Sequence, residues 1–214
     1  MQQVKTIYCI SGLGTDEKVF DNLNINAKMK FIPWLLPLKN ETIKRYALRM
    51  SESIHHSSPA LLGISFGGMI AIEIAKQIPL DKLIIVSSIK TDSELPRWMK
   101  LMGKFQLHKI LPTRSYKITE KYDNKKLGIT NEEERKLVNT YRQKMDPVYY
   151  DWAVHQVLSW RNNWYPENIV HIHGDEDKIF PIKNLDPTHI IKGGSHIMTL
   201  NKADEVSRCI NSVL

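Results

Sequence analysis

Short, nearly continuous apolar runs recur along the N-terminal part of the chain. Residues 4–10, 59–64 and 82–87 each form such a run, and this pattern is typical of strands buried on both faces of a parallel sheet. Residues 30–36 form a weaker run that contains Pro33. Because proline lacks the N–H that a central strand donates, we predict that this strand lies near an edge of the sheet.

Helical patterns alternate with these runs. Apolar residues at spacings of three and four predict a helix over residues 42–54, and an apolar helix is predicted over residues 67–78. Further along the chain, residues 169–173 and 189–191 are predicted strands, and residues 203–214 are a predicted helix. The alternation of strands and helices predicts an α/β fold with a mainly parallel sheet and helices on both faces.

Residues 91–163 interrupt this alternation. The segment has no clear strand pattern and carries helical patterns instead. In one of them, apolar residues recur on a single predicted helix face: Tyr149, Ala153, Val157, Trp160 and Trp164. We therefore predict a helical cap over residues 91–163, inserted between two strands of a single domain that spans residues 1–214.

The composition is ordinary for a globular protein, with 214 residues, of which 42% are hydrophobic and 25% are charged. No apolar stretch has the length of a secretory leader or of a membrane-spanning helix, so no membrane partner is expected. Cys9 and Cys209 lie far apart along the chain, and two thiols do not make a disulfide framework. We predict buried, reduced cysteines and a cytoplasmic location.

The formal net charge of +7 is concentrated in the middle of the chain. Residues 90–144 contain 14 lysines and arginines against seven acidic residues, which accounts for the whole net charge. This segment has few aromatic residues and no nucleic-acid-binding motif, so a nucleic-acid partner is not expected. Two interpretations stay open: a solvated surface, or a basic surface that attracts an anionic substrate.

The strongest local motif is Gly63-x-Ser65-x-Gly67, which lies between a predicted buried strand and a predicted apolar helix. A sharp strand-to-helix turn exposes the serine hydroxyl, and small residues on both sides let strand and helix approach closely. The first turn of the helix directs N–H groups towards a developing oxyanion. The motif predicts a nucleophilic serine; the alternative is a glycine-rich turn without chemistry.

Two later loops supply the groups that activate a serine. The sequence HGDED occupies positions 173–177 directly after one predicted strand, and GGSH occupies positions 193–196 directly after the next. Loops at the ends of parallel strands gather catalytic groups at one edge of the sheet. Ser65, Asp177 and His196 thus follow one another along the chain in the order nucleophile, acid, base.

These three motifs, in this order, resemble the α/β-hydrolase fold superfamily, and the likeness covers nearly the whole chain apart from residues 91–163. The resemblance implies Ser65 as nucleophile, His196 as general base and acid, and Asp177 as the carboxylate that orients the imidazole. Asp175 is the alternative acid, although the family's spacing from the glycine of the loop favours Asp177.

The resemblance also implies an oxyanion hole formed by backbone N–H groups of Phe66 and Leu13. Leu13 belongs to the loop over residues 11–14, which begins Ser-Gly where many members of the superfamily have His-Gly. The sequence departs from the family's pattern in two further ways. Few residues precede this loop, which predicts a smaller sheet, and few separate the acid from the histidine, which predicts a trimmed helix between the last two strands.

His171 and His173 alternate along a predicted strand and are followed by three acidic residues. The run partly resembles the His-x-His-x-Asp-His stretch of metallo-β-lactamase-fold hydrolases, but the final histidine is missing. Alternating strand histidines are more often structural than metal ligands. We expect no metal and no organic cofactor.

An apolar cluster begins the predicted cap, and it either lines a hydrophobic pocket as a lid or packs as an ordinary helix. Its residues are Trp98, Met99, Leu101, Met102 and Phe105. We predict substrate contacts for Trp98, Met102 and Phe105. Three further tryptophans are expected to pack rather than to contact a ligand: Trp152, Trp160 and Trp164.

The sequence therefore predicts a hydrolase that cleaves an ester, thioester or related acyl bond of a small molecule through an acyl-enzyme. Two alternatives stay open because one fold hosts many functions. The first is a lyase that uses the same triad on an acidic metabolite, which the basic segment would suit. The second is a non-catalytic receptor that keeps the pocket and binds a small ligand without turnover.

Overall fold

A computed structural model of the protein describes residues 5–106 and 124–214. Its sheet has six strands, all parallel, in the order β2-β1-β3-β4-β5-β6. The strands are β1 (Thr6–Ile10), β2 (Lys28–Phe31), β3 (Ala60–Ile64), β4 (Lys82–Val86), β5 (Ile169–Gly174) and β6 (His189–Ile191). The predicted parallel sheet is confirmed, and each of its strands falls within or beside a predicted apolar run.

The bounds of β2 differ from the predicted strand over residues 30–36. The strand is at the sheet edge, as Pro33 indicates, but it pairs with β1 over Lys28–Phe31 and ends before the proline. The N–H of Ile32 makes one further bond, to the carbonyl of Cys9 at 2.9 Å. Pro33 has no N–H with which to continue the ladder, so the pairing stops there.

The helices are shorter than the periodic patterns that predict them, because helices end where backbone hydrogen bonds end, not where apolar spacing does. Thr42 caps the first helix, its hydroxyl accepting from the N–H of Arg45 at 3.3 Å. With bounds from the structure, the helices are α1 (Ile43–Ser51), α2 (Phe66–Ala75), α3 (Arg97–Lys104), α4 (Glu132–Lys144), α5 (Pro147–Ser159), α6 (Met198–Asn201) and α7 (Ala203–Asn211).

The helices cover both faces of the sheet, as predicted. Successive residues of β1 face opposite sides: Tyr8 and Ile10 join the core beneath α1, α2 and α5, whereas Ile7 and Cys9 join the core beneath α7. This alternation is the two-residue period of a strand. The central strands are therefore buried on both sides, which explains their nearly continuous apolar sequence.

The segment between β4 and β5 contributes α3, α4 and α5, and its described residues contain no strand. The prediction that Trp160 and Trp164 continue the helix face of Tyr149 is wrong. Helix α5 ends at Ser159, and Trp160 has ψ of 134°, which is extended backbone. The Trp160 ring turns into the core and its indole N–H donates to Glu73 of α2 at 2.8 Å, whereas Trp164 is 43% exposed.

The two cysteines are free. Cys9 is buried, and burial raises the pKa of its thiol to about 12, so it stays protonated and unreactive. Cys209 is half-buried. Across the two described parts of the chain, every helix is too short or too polar to cross a membrane.

Candidate active site

Ser65 occupies a sharp turn between the end of β3 and the start of α2. Its φ of 52° and ψ of −119° are rare for a residue with a side chain, and such strain costs about 1–3 kcal/mol. A Cβ on Gly63 would lie 2.5 Å from the carbonyl oxygen of Gly67, and a Cβ on Gly67 would overlap the carbonyl of Ser11. Glycine at both positions therefore lets strand and helix meet, as the motif predicts.

The neighbouring strand holds this turn in place. The N–H of Ser65 donates to the carbonyl of Val86 at 2.9 Å, and the hydroxyl of Ser88 donates to the carbonyl of Ser65 at 2.7 Å. Both backbone groups of Ser65 are thus bonded to the end of β4. The side-chain hydroxyl remains directed out of the turn.

The loops that follow β5 and β6 bring two further side chains to Ser65. His196 Nε2 lies 2.9 Å from Ser65 Oγ, and His196 Nδ1 lies 2.8 Å from Asp177 Oδ2. His196 is 8% exposed and Asp177 is 3% exposed. An ionised carboxylate only accepts hydrogen bonds, so the ring proton is assigned to Nδ1, and Nε2 accepts from the Ser65 hydroxyl.

Asp177 is held by its own loop. Its Oδ1 accepts from the N–H groups of Ile179 at 2.8 Å and Phe180 at 2.9 Å. Burial acts to raise the pKa of Asp177, but the charge and hydrogen bond of His196, with smaller contributions from His173 and the Phe180 N–H, outweigh it. The pKa of Asp177 is therefore below its ordinary value, and the carboxylate stays ionised at neutral pH.

Asp175, the alternative acid, has a different position. Its side chain is exposed, and its Oδ1 accepts from the N–H of Gly193 at 2.7 Å. This bond joins the loop after β5 to the loop after β6, which carries His196. The structure therefore places Asp177, and not Asp175, beside the imidazole.

Two buried histidines of β5 lie beneath Asp177. His173 Nε2 is 2.8 Å from the carbonyl oxygen of Phe180 and 3.4 Å from Asp177 Oδ2, and His171 Nε2 is 3.3 Å from His173 Nδ1. Burial lowers the pKa of both side chains, that of His171 to about 3, with further lowering of His171 by His173. His173 therefore acts as a neutral donor that fixes the loop of the acid.

The two histidines of this run have partners other than a metal in the described part of the chain. Among the described residues, no three histidine, cysteine or acidic side chains are grouped as metal ligands. His173 directs its two ring nitrogens to a carbonyl and to His171 instead. The strand alternation that suggested a metal also explains why both histidines face the same side of the sheet.

The loop after β1 passes directly beside Ser65. A Cβ on Gly12 would lie 3.7 Å from Ser65 Cβ, so Leu13 and the first residue of α2, Phe66, border the same space. The Trp34 indole N–H fixes the loop, lying 2.9 Å from Ser11 Oγ and 3.1 Å from the Gly12 carbonyl. Sequence analysis missed Trp34, since it lies in a weak apolar run without a motif.

Comparisons with protein-family models and with curated proteins give no match for the chain. Solved structures do match it. MenH from S. aureus has a TM-score of 0.74 at 17% identity, over 100% of this chain and 94% of that chain. A thermophilic esterase from Thermogutta terrifontis has a TM-score of 0.74 at 13% identity, over 97% and 88%. An α/β-hydrolase fold protein from Burkholderia ambifaria has a TM-score of 0.70 at 12% identity, over 98% and 91%. The chain has the α/β-hydrolase fold.

The connection between β5 and β6 is short and contains no α-helix in this chain. Its described helical content is a single 3-10 turn, Ile182–Asn184, which confirms the trimmed helix predicted from the short spacing of acid and histidine. The compact connection keeps the two loops adjacent, and a Cβ on Gly174 would lie within 2.8 Å of Gly194 Cα. The loops that carry Asp177 and His196 are therefore adjacent where they leave the sheet.

Aromatic rings of α5 pack against rings of earlier elements, close to the turn of Ser65. The ring of Trp34 stacks on the ring of Phe66, with centroids 5.4 Å apart. The ring of Tyr149 also packs against Trp34, with centroids 5.4 Å apart. Trp152 packs against Tyr46, with ring centroids 4.2 Å apart, as the expected packing role implies. Helix α5 thus contributes to an aromatic wall near Ser65.

The three predicted substrate contacts differ in burial. Met102 packs against the core that contains Phe66, whereas Trp98 and Phe105 are 43% and 60% exposed. The apolar cluster therefore divides into a packed face and a solvent face. Substrate contact by Trp98, Met102 and Phe105 stays a prediction.

A surface groove of about 450 Å³ lies at the opposite end of α2 from Ser65. It is bordered by Lys44, Lys76 and Arg161 and by the buried carboxylate of Glu73. Glu73 accepts from the ammonium of Lys76 at 2.7 Å as well as from Trp160. Because a helix rises about 1.5 Å per residue, the groove is more than one turn away from Ser65 and belongs to the packing of α5 on α2.

Proposed function

We propose that the protein is a serine hydrolase that cleaves an ester, thioester or related acyl bond of a small molecule through an acyl-enzyme. The observation that carries the proposal is the continuous hydrogen-bonded path from Ser65 Oγ through both nitrogens of His196 to Asp177. A hydroxyl bonded to a neutral imidazole, itself bonded to a buried carboxylate, is the arrangement that activates serine for attack on a carbonyl.

In the first half of the reaction, Ser65 Oγ attacks the carbonyl carbon while its proton passes to His196 Nε2. The resulting imidazolium is stabilised by the negative charge of Asp177, whose lowered pKa keeps it ionised. The tetrahedral intermediate collapses when His196 gives its proton to the departing alcohol or thiol. The acyl group is left on Ser65 as an ester.

The second half repeats these proton transfers with water. His196 takes a proton from the water that attacks the acyl-serine, and then returns a proton to Ser65 Oγ as the acid leaves. We expect the N–H groups of Phe66 and Leu13 to donate to the oxyanion in both halves, because Phe66 follows Ser65 at the start of α2 and the loop of Leu13 approaches Ser65 Cβ. No step needs a cofactor.

The choice of acyl hydrolysis among the reactions of this fold is supported by the residue at the turn and by one similar structure. A serine nucleophile forms an ester with an acyl group, which water hydrolyses readily once it is activated. The Thermogutta terrifontis protein of the same fold is described as an esterase. A small acyl substrate therefore fits both the site and the fold.

Partitioning of a common acyl-enzyme tests this proposal. Phenyl butyrate, ethyl butyrate and S-ethyl thiobutyrate carry one acyl group on three leaving groups. With hydroxylamine present, we expect the same ratio of butyrohydroxamate to butyrate from all three, because all three pass through butyryl-Ser65. Ser65→Ala protein serves as the control for uncatalysed hydroxamate formation.

Two results would contradict the proposal. A ratio that depends on the leaving group would mean that water attacks the substrate directly, without a shared intermediate. Absence of turnover with esters and thioesters of several acyl lengths would instead favour a binding protein on this fold.

A further inference from the structure

The phenolic hydroxyl of Tyr149 is a buried hydrogen-bond donor without an acceptor in the described part of the chain. Tyr149 is 5% exposed, and its O–H meets no hydrogen-bond acceptor among the described residues. Burial raises its pKa well above the ordinary value for tyrosine. The hydroxyl therefore keeps its proton at neutral pH, and its O–H can donate to a ligand.

This hydroxyl lies beside the loop that borders the nucleophile. The Gly14 N–H is the nearby backbone group that partly opposes the rise in the pKa of Tyr149. Gly14 follows Leu13, and Gly12 of the same loop approaches Ser65 Cβ. Because an amide N–H is itself a donor, Gly14 does not provide an acceptor for the phenolic hydrogen.

Two other buried tyrosines show what a structural hydroxyl looks like in this protein. Tyr46 donates to the carbonyl of Leu35 at 2.8 Å and accepts from the N–H of the same residue at 3.0 Å. Tyr141 donates to Asp16 at 2.9 Å. A buried hydroxyl left unpaired costs about 1–3 kcal/mol, so an unpaired donor next to a reactive group points to a missing partner.

We propose that Tyr149 donates a hydrogen bond to an oxygen in the acyl chain of the substrate, so that the site selects oxygen-bearing acyl groups over purely aliphatic ones. The inference rests on the proposed acyl hydrolysis, and it names the substrate class more closely. A polar group placed in an aromatic wall discriminates strongly, because the analogue without the matching oxygen leaves the buried O–H unpaired.

Matched phenyl esters test the inference through Tyr149→Phe, which removes only the hydroxyl. Three pairs differ in one oxygen: butyrate and methoxyacetate, pentanoate and 3-methoxypropionate, and pentanoate and 4-oxopentanoate. In at least one pair we expect kcat/KM for the oxygen-bearing ester to fall about tenfold relative to its partner, the size of one lost hydrogen bond. Tyr165→Phe, in which a half-exposed ring loses its hydroxyl, is the matched control and leaves each ratio unchanged.

Equilibrium binding provides a readout that does not depend on turnover. In a Ser65→Ala background, the tryptophan fluorescence of Trp34 and Trp152, whose rings adjoin Tyr149, reports binding of the same esters. Adding Tyr149→Phe is expected to raise Kd for the oxygen-bearing member about tenfold and to leave the aliphatic member within twofold. Failure of the wild-type protein to hydrolyse any ester would overturn the proposed function but not this binding difference.

Thermal unfolding separates a ligand-binding hydroxyl from a structural one. Because the O–H has no acceptor among the described residues, Tyr149→Phe is expected to unfold at the same temperature as the wild type or higher. A Tm lowered by several degrees would show that the hydroxyl has a structural partner and would overturn the inference. Equal losses on both members of every pair, or no loss on any, would also overturn it.

Discussion

Ser65→Ala is expected to lower kcat for ester hydrolysis by about 10⁴- to 10⁶-fold, because the variant has no nucleophile and retains only the surrounding donors. His196→Ala should have a loss of similar size. In the double variant the loss should be close to that of either single variant, since serine and histidine act as one unit. Steady-state hydrolysis of phenyl butyrate measures all three.

Ser57→Ala is the matched control for Ser65→Ala, since Ser57 is exposed and precedes β3, whereas Ser65 follows the other end of that strand. Its turnover should be within twofold of the wild type. Unchanged turnover in Ser65→Ala and His196→Ala, with folded protein confirmed by circular dichroism, would remove both residues from the reaction. Losses that multiply in the double variant would mean that the two residues act in separate steps.

Asp177→Asn is expected to lower kcat by about 10⁴-fold while Asp175→Asn stays within severalfold of the wild type. The asparagine amide removes the negative charge that stabilises the His196 imidazolium. When the NH2 group of the amide faces His196, it donates to Nδ1. The ring proton is then on Nε2, which cannot accept the serine proton. The Asp175 carboxylate is exposed and accepts a hydrogen bond from the N–H of Gly193. Its loss therefore weakens only the contact between the loops after β5 and β6.

The pair of aspartate variants separates the two acids directly. Both are measured with phenyl butyrate at saturating concentration, where kcat is not affected by binding. A larger loss in Asp175→Asn than in Asp177→Asn would contradict the hydrogen-bonding arrangement described above. Comparison of Tm values then shows whether either variant acts through stability, because Asp177 also accepts two backbone N–H groups.

The strands are predictable from the sequence because the sheet is parallel and covered on both faces. Burial of β3 and β4 on two sides makes their sequences apolar throughout, and such runs are conspicuous between loops. The edge strand β2 is less buried than β3 and β4, and its sequence KMKF has only a weak apolar pattern. For that reason its position at the edge is predicted correctly but its bounds are not.

Helix ends and helix partners are less predictable, since they depend on contacts distant in sequence. Apolar spacing continues past Ser159 through Trp160, yet the chain leaves the helix there and the indole N–H of Trp160 bonds to Glu73. That bond joins residues 87 positions apart, and no local pattern indicates it. Tertiary contacts override local periodicity at such positions.

The residues of the candidate site also differ in how far the sequence predicts them. The proximity of Ser65, Asp177 and His196 is predictable because each follows a strand directly, in a short glycine-containing loop or turn, and the three come in a characteristic order. Trp34 and Tyr149 have no such context, because an aromatic residue in an apolar pattern is more often packing than function. Tyr149 stands out only because its hydroxyl has no acceptor within residues 5–106 and 124–214, which is a three-dimensional property.

The most direct test of an activated serine is intact-mass spectrometry after incubation of the protein with a fluorophosphonate. This reagent forms a stable phosphonyl ester with a serine whose hydroxyl is activated by a neighbouring base. The account predicts one adduct on the wild-type protein and none on Ser65→Ala. An unmodified wild-type protein, or an adduct that persists on Ser65→Ala, would contradict the assignment of Ser65 as the nucleophile.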